Sequence, residues 1–178
     1  MKLCTIVHVN ATEALLESWD RQCRIIDNLV GLITPDLLNA KPDPNGWTIG
    51  FHLAHLHSTR RYWHMNAAGL EAPVGPSLYT VTGSGESESD YIPSSDLAEI
   101  RSRLADSAAL VRNWTEEQIN ADAQKVGNYD HPVFYLQHML WHEGWHAGLI
   151  VLALRLAGHE PPEEQECALI WDQWRLPD

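Results

Sequence analysis

Cysteine is scarce in this sequence: there are three, Cys4, Cys23 and Cys167, and they lie far apart along the chain. No two of them form a Cys-x-x-Cys pair, so we expect neither a disulfide framework nor a thiolate metal site. An odd number of scattered cysteines is typical of free thiols in a reducing compartment. The cysteine content therefore predicts a cytoplasmic protein.

Basic residues are also scarce, since 12 lysines and arginines stand against 24 aspartates and glutamates and give a formal net charge of −12. An acidic surface repels phosphate groups and anionic lipids, so neither nucleic acid nor membrane is an expected partner. No apolar run approaches the roughly 18 residues of a membrane span. The opening stretch MKLCTIVHVN is too short and too polar for a secretory signal.

Apolar residues are plentiful, at 44% of the 178 residues, which is enough to bury a core. The length favours one domain covering residues 1–178. Apolar side chains recur at helical spacing from Thr12 to Ile33, and Thr48 is a candidate cap for a second helix that runs to about Ala68.

Two further helices are expected in the second half of the chain. The third begins at Ser94 or Ser95 and runs to about Trp114, and the following TEEQ (115–118) resembles a capping box that opens a separate short turn. The fourth begins after Asp130, has Pro132 in its first turn, continues to Leu156 and stops at Gly158.

The segment between the second and third helices, Glu71 to Pro93, is rich in proline, glycine and serine. Because it is too long for a tight turn and shows no convincing strand pair, we interpret it as a crossover loop. The C-terminal tail carries Trp171 and Trp174, which we expect to fold back onto the helices. The sequence therefore predicts an all-α fold: a four-helix bundle with one long crossover loop and a packed tail.

The stretch HMLWHEGWHAG carries His138, His142 and His146, each four residues after the last. Residues four apart lie one turn apart on a helix, so these imidazoles share a face. Two histidines at this spacing can reach one metal ion, although such a pair is also common by chance. The pattern alone is therefore weak support for a metal site.

The second predicted helix adds more histidines in WTIGFHLAHLHSTRRYW, namely His52, His55 and His57, with His64 just beyond. Three histidines from two helices would leave coordination positions open, as in catalytic sites. His57 lies on a different face from His55 and is expected to be solvated. The residues alone leave the choice between His52 and His55 open.

GWTIGFHLAHL and HMLWHEGWHAG together resemble the two signatures of the DinB/YfiT-like family. In that family a Trp–Ser/Thr pair opens the second helix, a histidine eight residues after the tryptophan binds metal, and an H-x-x-x-H pair on the last long helix completes the site. The resemblance implies that His55, His142 and His146 hold one divalent metal ion. Where the family often has HHRGQ, this chain has WHAGL, with Trp145, Ala147 and Leu149 at the changed positions.

Several neighbours are candidates for the surroundings of such a site. His138 and His52 are candidates for supporting the ligands, and Trp63 and Trp145 for lining a pocket beside the ion. Glu143 points away from His142 on the helix and is expected to be solvated. Surface charge is the expected role of Arg60 and Arg61. Asp130 is expected to cap the fourth helix.

The family resemblance implies a transferase or hydrolase that activates a low-molecular-weight thiol or water for attack on a small-molecule substrate. The alternative is a stress-response bundle that binds a metal or ligand without turnover. Imidazole ligands suit zinc, nickel or iron. A homodimer is expected, mainly because many members of the family pair through their bundles, and the eight tryptophans are more than one small core usually hides.

Overall fold

Four long helices dominate the computed structural model, which describes residues 10–175. They are α1 (Ala11–Gly31), α2 (Ile49–Ala68), α3 (Leu97–Asn120) and α4 (Pro132–Leu156). Helix α1 packs against α3 and α4, and α2 packs against the same two helices. This arrangement confirms the predicted all-α bundle. Cys4 and the other residues of 1–9 lie outside the described residues.

Polar side chains cap the first three helices as elementary helix chemistry requires. Asn10 and Glu13 form a capping box at the start of α1. Thr48 accepts a hydrogen bond from the Phe51 N–H and begins α2, as predicted. Helix α3 begins later than predicted, since Asp96, and neither Ser94 nor Ser95, is its cap.

Helix α3 is continuous through the TEEQ stretch, so the prediction of a separate short turn after Trp114 was wrong. Thr115 is fully buried and donates its hydroxyl proton to the Val111 carbonyl one turn earlier, so it does not cap a new helix. The cap of α4 also differs from the prediction, because His131 and not Asp130 accepts the Val133 N–H.

Helix α4 ends in a Schellman arrangement. The His159 N–H donates to the Leu154 carbonyl and the Gly158 N–H donates to the Arg155 carbonyl. Gly158 has φ +76°, a conformation that residues with a side chain rarely adopt. The predicted stop at this glycine is confirmed.

The crossover between α2 and α3 contains a short antiparallel strand pair, which the sequence analysis did not expect. Strand β1 (Tyr79–Val81) pairs with β2 (Tyr91–Pro93), and Thr80 lies opposite Ile92. The turn between the strands is held by the Asp90 carboxylate, which accepts the N–H groups of Gly85 and Ser87. Short strands of this kind carry little periodic signal, which is why the segment reads as a loop.

The C-terminal tail packs on α1, as predicted. It forms a fifth helix, α5 (Glu163–Leu169), followed by a 3-10 turn, Trp171–Trp174. Asn28 donates to the Leu169 carbonyl and Arg21 donates to the Gln173 carbonyl. Trp171 and Trp174 nevertheless remain 52% and 44% exposed.

The core consists of two clusters of apolar side chains. One joins α1, α2, α3 and α4 around Leu29, Leu53 and Ile150, and the other surrounds Trp19 and Tyr135 toward the opposite end of the helices. Within residues 10–175, no helix has the length and the apolar character that crossing a bilayer requires.

Candidate metal centre

Helices α2 and α4 bring His55, His142 and His146 together. The Nε2 atom of His142 lies 3.2 Å from the Nε2 of His55 and 3.2 Å from the Nε2 of His146. The potential ligand atoms of all three residues fall within 4.8 Å of one another. His142 and His146 share a face of α4 because they are one turn apart, and α2 supplies the third imidazole from the neighbouring helix.

These separations suit ligands of one ion. Two nitrogens bound at about 2.0–2.1 Å to a tetrahedral zinc ion lie roughly 3.3 Å apart. Two nitrogen atoms without an ion between them approach this closely only where one carries a hydrogen for the other. The donor set also fits, because imidazole nitrogen is a common ligand of zinc, nickel and iron. The cluster can therefore hold one divalent ion with coordination positions left over.

Burial keeps these imidazoles neutral, which is the form that binds metal. Burial, followed by neighbouring imidazoles, lowers the pKa of His55 and His142 to about 4. The same causes lower the pKa of His146 to about 3. No proton has to be removed from these side chains near neutral pH before a metal can bind.

His52 supports the cluster from behind. Its Nδ1 lies 2.8 Å from the Nδ1 of His146, and both side chains are buried. If Nε2 of His146 faces an ion, its Nδ1 carries the hydrogen and donates to His52. The two histidines that the residues alone could not separate thus have different positions: Nε2 of His55 faces the cluster, and His52 contacts His146 on the side away from it.

Trp47, immediately before the cap of α2, covers one side of the cluster. Its ring centroid lies 4.8 Å from that of His55. The ring stacks on His146 at 6.0 Å with an interplanar angle of 3°. In the sequence signature, this tryptophan only fixes the position of the histidine eight residues later. In the folded chain its ring lies against the cluster and is part of the site.

The family assignment rests on a sequence comparison over most of the chain. The sequence model of the DinB superfamily matches residues 14–150, a range that includes all three histidines of the cluster. The chain belongs to the DinB superfamily. No curated protein and no solved structure matched it. For this DinB protein, the matched range starts in α1 and ends within α4.

The other predicted site residues lie at different distances from the cluster. The ring of Trp63 lies 5.0 Å from His142 and 4.4 Å from His138. His138 is exposed and its Nδ1 lies 2.9 Å from the Tyr129 hydroxyl. The structure does not bring Trp145 to the cluster: this side chain is 58% exposed and its ring lies beside Trp141.

Glu143 and Arg60 are not solvated, which corrects the expectations for both. Their side chains are 0% and 1% exposed and form an ion pair between α4 and α2. Both Nε and a terminal nitrogen of Arg60 donate to the carboxylate at 2.8 Å, and its other terminal nitrogen donates to the Leu104 carbonyl. Helical spacing places these residues off the histidine stripe, but it does not reveal that each has a buried partner.

His57 and Arg61 are also buried, contrary to the expectation that they face solvent. The two ring nitrogens of His57 lie 2.9 Å from the carbonyl oxygens of Arg103 and Pro76. Arg61 donates to the carbonyls of Val74 and Gly75 in the crossover. Both side chains therefore hold the crossover and α3 against α2, away from the histidine cluster.

A cavity of about 510 Å³ opens beside the cluster, between α2 and the strand pair of the crossover. His55 is the one cluster histidine that lines it, together with aromatic side chains and Glu88. The sequence analysis missed these crossover residues. The available signal was the presence of Tyr79 and Tyr91 in a segment otherwise rich in small polar residues.

The described cysteines do not belong to the site. Burial raises the pKa of Cys23 to about 12, so its thiol is not a nucleophile near neutral pH. Cys167 lies in α5, on the C-terminal tail. Neither thiol is among the potential ligand groups that the described residues bring to the histidine cluster.

Proposed function

We propose that this DinB protein is a metal-dependent enzyme that activates a low-molecular-weight thiol or a water molecule for attack on a small-molecule substrate. His55, His142 and His146 would hold one divalent ion, either zinc, nickel or iron. The observation that carries the proposal is the convergence of their Nε2 atoms, with two separations of 3.2 Å. We also propose that the enzyme is cytoplasmic and acts as a homodimer.

Among the described residues, no cysteine joins the histidine cluster, which supports an external nucleophile. A divalent ion bound to neutral imidazoles lowers the pKa of a coordinated thiol or water and so supplies a nucleophile at neutral pH. Neither Cys23 nor Cys167 reaches the cluster. Thiol and water differ in product: the thiol would become part of a thioether, whereas water would hydrolyse the substrate.

The surrounding side chains orient the ligands and the nucleophile. If the Nδ1 of His146 donates to the Nδ1 of His52, 2.8 Å away, the contact would hold His146 in the tautomer that presents Nε2. The Thr59 hydroxyl lies 3.2 Å from the Nε2 of His55. If that nitrogen binds an ion, the hydroxyl is free to hydrogen-bond a thiol or water held next to His55. Trp47 covers one side of the cluster and limits access of bulk water.

Metal content tests the site. Protein purified without a histidine tag, stripped with a chelator and reloaded should bind about one divalent ion per chain by elemental analysis. His55→Ala and His146→Ala should each lose this stoichiometric binding. His159→Ala, at an exposed position after α4, is the matched control and should retain it. Retention of a full equivalent by His146→Ala would refute the assignment of ligands.

Turnover tests the enzymatic part of the proposal. The reloaded protein should convert members of a panel that pairs small thiols with epoxides, halides and activated alkenes, or should hydrolyse an ester or amide panel. Activity should disappear in His55→Ala. One ion per chain with no product across both panels would instead support the alternative, a bundle that binds metal without turnover.

A further inference from the structure

Six of the ten residues that line the cavity beside the cluster carry aromatic rings. Phe51, His55, Ser58 and Tyr62 follow one another at helical spacing and present one face of α2 to it. The strand pair supplies the opposite wall. The cavity therefore exists only because the crossover folds back against α2.

Four rings form a continuous row from the cluster to the strand pair. Trp47 lies 4.7 Å from Phe51, Phe51 lies 5.2 Å from Tyr79, and Tyr79 lies 5.5 Å from Tyr91, measured between ring centroids. Neighbouring rings are tilted by 45°, 53° and 74° and are not stacked. Such rows bind apolar bodies, and their electron-rich faces also attract organic cations.

Glu88, on the segment between β1 and β2, adds a negative charge to the cavity lining. It lines the cavity, and the described residues offer its carboxylate no hydrogen-bond or ion-pair partner. His55 and Tyr79 line the same cavity as Glu88. This carboxylate is available to a ligand.

No lysine or arginine is among the residues that line the cavity. Arg61, which precedes the cavity-lining Tyr62 in the chain, donates to backbone carbonyls of the crossover and lines a different cavity. The chain as a whole carries a formal charge of −12, which attracts cations and repels anions over longer distances. The charges in the cavity lining and the net charge of the chain therefore both favour a positively charged ligand.

We propose that this cavity binds a substrate that carries an ammonium group on an apolar or aromatic body. The ammonium group would lie against Glu88 and the Tyr79–Tyr91 end of the ring row. The opposite end of the molecule would then reach His55. This inference rests on the proposed function only in assuming that the end of the substrate near His55 is the end that reacts. Binding of the ammonium group depends on the cavity alone.

Matched pairs of probes test the charge preference directly. Choline and 3,3-dimethyl-1-butanol have nearly the same shape but differ in charge, and benzyltrimethylammonium adds an aromatic body. Isothermal titration calorimetry on the metal-free chain should show benzyltrimethylammonium binding at least about 10-fold more tightly than phenylacetate, which carries the opposite charge. Choline should bind more tightly than its neutral isostere by a similar factor, as expected for a carboxylate and aromatic rings acting together.

Single substitutions test whether benzyltrimethylammonium binds in this cavity. Glu88→Gln should weaken benzyltrimethylammonium about 10-fold, whereas Glu86→Gln, on the same turn but outside the cavity lining, should leave its affinity unchanged. Tyr62→Ala should also weaken it, and Trp171→Ala, an exposed ring on the C-terminal tail outside the cavity lining, serves as its control. Circular dichroism would verify that each variant is folded.

The outcomes separate this inference from the proposed function. Equal affinity for choline and its neutral isostere, or no effect of Glu88→Gln, would overturn the cation assignment even if the chain binds one metal ion. Conversely, cation binding that depends on Glu88 in a chain that fails to bind metal would support the cavity and refute the metal-dependent reaction.

Discussion

His146 shows how much a single side chain can depend on its neighbour. One of its ring nitrogens belongs to the histidine cluster and the other lies 2.8 Å from the Nδ1 of His52. A neutral imidazole has one hydrogen, so the partner on one side decides which nitrogen is free on the other. If the cluster holds an ion, we therefore expect His52 to affect metal affinity without touching the ion.

Replacing His52 is the residue-level test of this arrangement. His52→Ala should fold and still bind one ion, but about 10- to 100-fold more weakly, because His146 loses the partner that selects its tautomer. The change in affinity would be measured by competition with a chelator of known affinity. An unchanged affinity would mean that His52 is only a packing residue, and complete loss of binding would mean that it is itself a ligand.

At the scale of elements, α2 and α4 are joined by the buried ion pair of Arg60 and Glu143. Glu143 directly follows His142, and Arg60 lies five residues after His55. The pair therefore sets the position of the two helices close to where they supply the three imidazoles. Buried charges are costly without their partners, so the two side chains depend on each other.

Removing one member of this pair should be strongly destabilising. Arg60→Met should lower the free energy of unfolding by about 3–5 kcal/mol, because it leaves the Glu143 carboxylate buried without its partner. Arg112→Ala, which breaks a more exposed pair with Asp20 between α3 and α1, should cost about 1 kcal/mol or less. Chemical denaturation monitored by circular dichroism would measure the free energy of unfolding of both variants. Equal losses in the two variants would contradict the larger effect expected for the buried pair.

At the scale of the whole molecule, α4 carries an apolar stripe that faces away from the bundle. Phe134, Trp141, Trp145, Leu152 and Leu156 are between 41% and 65% exposed and fall on one side of the helix. Contiguous exposed apolar surface of this kind is typical of protein interfaces. The stripe is the surface through which we expect the proposed homodimer to form.

A negative charge introduced into the apolar stripe of α4 tests the prediction of a dimer. Sedimentation at micromolar concentration should show a dimer for the wild-type chain. Trp145→Glu should shift it to a monomer, because a dimer through this stripe would bury the new carboxylate. Val81→Glu adds the same charge at an exposed apolar position in β1 and should leave the dimer intact. A monomeric wild-type chain would refute the prediction outright.

Acid should destabilise the metal-free molecule before most carboxylates titrate. Burial, with neighbouring imidazoles, holds the pKa of His52, His55 and His142 at about 4, whereas an unfolded histidine titrates near about 6.5. Between these values the unfolded chain binds more protons, so stability is lost as the pH falls below about 6.5.

The expected loss is on the order of 1 kcal/mol per pH unit for each such group. Denaturation of the metal-free chain at several pH values between about 6.5 and 5 would measure it. His142→Gln should show a shallower dependence than the wild-type chain because one titrating group is gone. A stability independent of pH over this window would contradict the buried, neutral state of the cluster.

Sequence periodicity determined the helices and the pairing of His142 with His146. Spacing along one helix settles which side chains share a face, and caps such as Thr48 settle where a helix begins. The same local rules misplaced the start of α3 and broke that helix after Trp114. The predicted break was wrong because burial of Thr115 against other helices outweighs a local capping pattern.

Only the tertiary structure decided what each face meets. Spacing left His52 and His55 as alternatives, and the approach of α4 placed His55 in the cluster and His52 behind His146. The burial of Glu143 follows from Arg60, which lies on another helix, and Glu88 joins the cavity because the crossover pairs its two strands. A chain's local pattern specifies its helix faces, but the partners of those faces come from residues distant in sequence.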